Sequence, residues 1–152
     1  MNKKGQAAME FLMTYGWAIL VVLAAIGALA YFGVLSPDKF LADKYVVSGG
    51  FSAGSYKVSS AGTVFLEVQN NLGVDAAQVN ITLTPRTTGV TTCGTAVALG
   101  PMGNSDTNST TFTCTGLTGA ITKFRGDITL VYQKSGEPVT HSASGSITGK
   151  VE

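Results

Sequence analysis

Chemistry needs titratable, nucleophilic or metal-ligating side chains at useful spacings, and this 152-residue chain holds few of them. Its one histidine is His141, in the stretch "PVTHSASGS". No nucleophile motif surrounds it, and a lone histidine in a predicted strand reads as a surface or half-buried residue rather than a base or ligand. Asp75, Asp106 and Asp127 are scattered, never spaced for a metal site. Asp106 in "GNSDTN" has the setting of a loop Ca²⁺ ligand, but the same setting suits a turn-forming aspartate better. The glycine clusters lack the following lysine and helix of a phosphate loop and read as turns. These features predict no enzyme activity, no metal and no cofactor.

Two other residue pairs carry covalent chemistry. Cys93 and Cys114 bracket a segment rich in Gly, Ser, Thr and Asn. In an exported domain such a pair reads as one disulfide, whose loop closure stabilises by roughly 3 kcal/mol; in a reducing compartment the same residues read as buried thiols. Asn80-Ile81-Thr82 and Asn108-Ser109-Thr110 fit N-x-[ST], the acceptor pattern for N-glycosylation.

The sharpest signal is the N-terminal stretch "KKGQAAMEF". Lys3 and Lys4 precede an apolar run, and from Phe11 to Leu35 there are 25 residues without a charged side chain. Glu10 stands at the lip of that run. A carboxylate at a helix start gains up to about 1 kcal/mol from the helix dipole. Drawn into a packed apolar environment without a partner, it costs about 2.5 kcal/mol or more.

The elements that position these residues follow from periodicity. Gln6 to Leu35 is rich in Ala, Leu, Val, Ile and Met and contains no proline, so it predicts a helix. Apolar side chains occur all round it, so the helix must be surrounded by lipid or by other helices. Gly16, Gly27 and Gly33, with several alanines, allow close helix approach. Pro37 ends the straight helix near residues 33 to 36, and a short helical turn from Ser36 through Ala42 follows. The period then changes to two: Val64, Leu66 and Val68 alternate with Phe65, Glu67 and Gln69, and Val79, Ile81 and Leu83 with Asn80, Thr82 and Thr84. Further strands are expected at 44 to 48, 55 to 58, 95 to 99, 110 to 115, 121 to 134 with a bend at Gly126, and 139 to 148. Turn signals separate them, among them "SGG", "SAG" and "GPMGN". About seven short strands of this kind predict an antiparallel sandwich or barrel, Ig-like in the broad sense. The fold class is therefore α+β: a long apolar helix followed by a β-rich domain over 37 to 152.

Composition narrows the partners. Only 12% of residues are charged, and residues 38 to 152 carry eight Lys/Arg against eight Asp/Glu with no basic patch. That argues against nucleic-acid binding. Lysines before an apolar helix place the N-terminus in the cytoplasm and the β domain outside.

"KKGQAAMEF" followed by the apolar helix resembles the class III signal peptide of archaeal type IV pilins and related filament subunits. The resemblance covers about the first 36 residues. It implies a leader over 1 to 5, with Lys3-Lys4-Gly5 recognised by a prepilin peptidase that cuts between Gly5 and Gln6. Residues 6 to 36 would then be a transmembrane helix before assembly and a filament core afterwards. Gln6 becomes the first mature residue, in place of the Phe usual in bacterial pilins, and Glu10 the fifth, where many type IV pilins hold a glutamate. The cut creates an α-amine with a reference pKa of about 7.7 to 8.0, which Glu10 can neutralise. One helical turn separates residues 6 and 10, so the pair forms within one subunit or between neighbours, the second choice setting axial register. The resemblance further implies a homopolymer on the cell surface, an assembly ATPase and a membrane platform protein. Two rival readings remain at this stage. One is a secreted β domain released after Ala30 by a conventional signal peptidase, "ALA" at 28 to 30 fitting A-x-A; the other is an uncut single-span anchor for a surface binding domain.

Overall fold

The computed structural model describes residues 3–32 and 42–152. The chain divides into two compact units, Met1–Phe40 and Leu41–Glu152. The first contains α1 (Lys3–Tyr31), a 29-residue helix without proline. It begins three residues before the expected Gln6, because Lys and Gln are good helix formers and Gly5 alone costs only about 1 kcal/mol in a helix. The predicted break at Gly33 to Ser36 and the turn through Ala42 fall on residues 33 to 41, outside the described residues apart from Ala42 itself, which has no assigned secondary structure.

The second unit is built from eight antiparallel strands: β1 (Lys44–Val47), β2 (Phe51–Ser59), β3 (Thr63–Asn70), β4 (Ala76–Pro85), β5 (Val97–Met102), β6 (Thr107–Thr113), β7 (Lys123–Lys134) and β8 (Thr140–Lys150). They form a five-stranded sheet in the order β1-β8-β7-β4-β5 and a three-stranded sheet in the order β2-β3-β6. The expected alternation holds: Val64, Leu66, Val79 and Ile81 are fully buried, and their odd-numbered or even-numbered neighbours face out. One core joins both sheets, with Val58, Leu66 and Phe112 from the smaller meeting Ile81, Phe124, Leu130 and Ile147 from the larger. Each such side chain contributes about 1.5–3 kcal/mol of transfer free energy.

Several strand boundaries differ from expectation, β6 for instance starting at Thr107 rather than at 110, and two of the departures have a clear local reason. β2 starts at Phe51 rather than at 55, so residues 52 to 54 lie inside the strand, while "SAG" at 60 to 62 forms the turn into β3. Gly54 and Ser55 bulge opposite Glu67, between the pairs Ala53↔Val68 and Tyr56↔Leu66, and the Glu67 carboxylate accepts the otherwise unpaired Ser55 N–H at 2.9 Å. "GPM" at 100 to 102 belongs to β5. Pro101 is tolerated there because β5 is an edge strand, paired only with β4. β7 runs through Gly126 as the single strand expected, its register with β8 unshifted from Lys123↔Lys150 to Gln133↔Thr140. Glycine is needed at 126 for space, since a Cβ would lie 2.9 Å from Leu83 Cδ1.

The two sheets are tied by polar bonds as well as by the core. Tyr45 of β1 donates its hydroxyl to the Glu67 carbonyl of β3 at 3.0 Å. Burial, and secondarily the Glu67 charge, pushes the Tyr45 phenol well above its ordinary pKa, so it stays a donor. Asn70, fully buried at the end of β3, donates to the carbonyls of Val74, Met102 and Gly103 and accepts from Leu72 N–H. Chain-end residues stitch the sheets again, with Val58 and Val151 forming a parallel bridge.

Candidate processing and assembly site

α1 presents Gly5, Gln6 and Glu10 along its first two turns. Gln6, Glu10 and Thr14 stand at i, i+4 and i+8, so the polar residues of this end share one helix row. Thr14 Oγ1 donates back to the Glu10 carbonyl at 2.8 Å, and the Gln6 and Glu10 side chains are exposed. Gly5 lies in the first turn, where backbone N–H groups have no intrahelical acceptor, and a Cβ there would meet nothing within 4 Å.

Beyond Glu10 the helix is apolar on every side. Gly5–Tyr31, 27 residues, is long and apolar enough to cross a membrane, and its most apolar stretch is not buried among the described residues. At about 1.5 Å per residue such a span exceeds 30 Å. By length and composition it fits a membrane anchor or a signal segment. Phe11, Tyr15, Ala18, Ile19, Val22 and Leu23 line one continuous apolar groove along it, with the Phe11 and Tyr15 rings 4.7 Å apart. Gly16 and Gly27 also face open space. Each costs about 1 kcal/mol of helix propensity relative to alanine, and no neighbour within the described residues needs the room.

In the β unit, Cys93 and Cys114 are bonded, the sulfurs 2.05 Å apart. The bond pins the loop between β4 and β5 to the end of β6, beside an antiparallel bridge of Thr92 and Thr115. Both half-cystines are buried. Gly116 follows in the left-handed region at φ 89°, and a Cβ there would collide with the Gly89 carbonyl. Asn80 lies on β4 and Asn108 on β6.

The scattered acids and the histidine have structural partners. Asp106 Oδ2 accepts from Gly103 N–H at 2.8 Å and Asp75 Oδ1 from Asn104 N–H at 2.8 Å. Asp127 pairs with Arg86. His141 Nε2 lies 3.2 Å from Glu137 Oε2, and its ring stacks on Tyr132 at 5.4 Å. Among the described residues, no group of three His, Cys, Asp or Glu is arranged to hold a metal ion. The residues that sequence reasoning missed are Asn70, Tyr45 and Glu67. Only the "QNN" run before a turn hinted at the first, and nothing local marked the others, whose partners lie across the sandwich.

Fold and site together define a class: a β-sandwich domain with one disulfide, preceded by an apolar helix whose side chains are exposed among the described residues. The chain matches no protein-family model, and no curated protein is significantly similar to it.

Proposed function

We propose that this chain is the structural subunit of an archaeal type IV pilus-like surface filament. A prepilin peptidase cuts it between Gly5 and Gln6, and the mature chain polymerises through residues 6 to 36 while the β domain, Ig-like in the broad sense, faces solvent. The precursor sits in the membrane with a cytoplasmic N-terminus, and an assembly ATPase with a membrane platform protein moves it into the filament. The subunit binds no cofactor and catalyses no reaction.

One observation carries the reading. α1 combines a polar row of Gln6, Glu10 and Thr14 at its start with open glycines and an apolar groove further on. Gly16 and Gly27 lower helix propensity without serving any contact among the described residues, and close approach by a second helix supplies the missing benefit. Glu10 gains a cation only once the cut frees the Gln6 amine.

Intact mass of the exported protein tests it. A chain of residues 6 to 152 is expected; one retaining residues 1 to 5, or one starting after Ala30, overturns the reading. Glu10→Ala should be processed normally yet fail to assemble, because stranding one partner of a desolvated charge pair costs about 3 kcal/mol or more per subunit. Filaments of normal number from that variant, counted by electron microscopy, would remove Glu10 from the register.

A further inference from the structure

The two N-x-[ST] triplets look alike in sequence, and the fold separates them. Asn108 shares a strand face with Thr110 and Phe112, the last of which is core. Its Nδ2 donates to the Leu99 carbonyl at 2.9 Å, from β6 of the smaller sheet to β5 of the larger. Its Oδ1 accepts from Ser109 N–H at 2.8 Å. The amide is therefore a strut across the seam between the sheets, and the nitrogen that a glycan would take is the one that holds the seam.

Asn80 has the opposite setting. Ile81 is fully buried, which places Asn80 and Thr82 on the outer face of β4. In register beside Asn80 are Val131 of β7 and Ala98 of β5. Its side-chain amide has no hydrogen-bond partner among the described residues. Next to it is a hollow of about 150 Å³ lined by Gln78, Asn80, Val131, Tyr132, Gln133 and Thr140. That lining offers amide and hydroxyl groups of the kind that hydrogen-bond a sugar ring.

We propose that Asn80 is an N-glycosylation site of this protein and that Asn108 is not. The donor is an oligosaccharide linked through phosphate to a membrane lipid. The bond from its anomeric carbon to phosphate oxygen breaks, a bond to Asn80 Nδ2 forms, the amide gives up one proton, and the lipid phosphate leaves with the electron pair. β4 lies between β7 and β5, so the transfer precedes closure of the sheet. The fold then decides what is tolerated: a glycan on Asn80 extends into solvent beside the hollow, whereas one on Asn108 puts a sugar ring on the nitrogen that bonds Leu99 and wedges β5 from β6. The proposal rests on export of the β domain, one part of the reading above, and not on assembly.

The test is intact mass with peptide mapping of the full chain from its native cells, as wild type, Asn80→Gln and Asn108→Gln. The wild type should carry one glycan, on the peptide containing Asn80. Asn80→Gln should lose that mass entirely and Asn108→Gln should keep it. A glycan on wild-type Asn108, or a bare Asn80 on a chain cut after Gly5, overturns the site. A glycosylated Asn80 on a chain that retains residues 1 to 5 upholds the site and overturns the filament reading, so the two fail separately.

Discussion

Leu20, Leu23 and Val22 of α1 stand more than half exposed, while Val64, Leu66 and Val68 of β3 are at most 1% exposed. The two sets are about equally apolar, so each gains about the same from leaving water. What differs is where the complementary surface lies. The β unit carries its own, in the facing sheet. The helix leaves its apolar side chains exposed among the described residues, and an all-round apolar helix calls for lipid or other helices around it. A chain so divided has two stabilities rather than one, each set by its own surroundings.

That division can be attacked from either side. The largest effect is expected from Phe124→Ala, which removes a fully buried ring from the centre of the sandwich. It should destabilise the β unit by about 4 kcal/mol, read by denaturant unfolding of the full chain in detergent, with the helical signal unchanged. Joint melting of helix and sheets would show that the units are not independent. The reverse experiment is Leu20→Arg. It should raise the cost of membrane insertion by about 3 kcal/mol, read in a translocation assay, and leave the unfolding midpoint of the β unit where it was. An unchanged insertion efficiency would mean that α1 does not enter the bilayer. The smallest effect sharpens the comparison by pH. The Ser55 backbone N–H, and then the Ser55 side chain, hold the Glu67 carboxyl below its usual range. A depressed carboxyl stabilises the fold above the ordinary value of about 4.3 and loses that contribution as pH falls through the folded value. Glu67→Gln should therefore flatten the acid limb of β-unit stability below about pH 4 and leave the helix indifferent.

Much of this architecture is legible along the chain, because its signals are local. The helix follows from a long proline-free apolar run, and β3 and β4 follow from strict alternation. The disulfide follows from an even cysteine pair in a domain read as exported. The boundaries that were not legible depend on non-local partners. Gly54 and Ser55 form a bulge only because Glu67, on the next strand, satisfies Ser55. Gly100 and Pro101 continue β5 only because that strand has a free side. Asn70 is invisible as a hub until Val74, Met102 and Gly103 converge on it. At the N-terminal end the residues are legible and the proposed chemistry is not complete in one uncut chain, since the proposed partner of Glu10 would arise by cutting.

The irregularity of β5 has a consequence for crowding. A sandwich has open strand edges, and each is a template on which a second molecule can extend the sheet. Here β5 carries Pro101, which offers no N–H to a newcomer, β1 is only four residues long, and β2 is broken by its bulge. Copies of this domain held side by side at high local density would meet three edges poorly suited to pairing, which leaves the regular seven-residue β6 as the edge where sheet could extend.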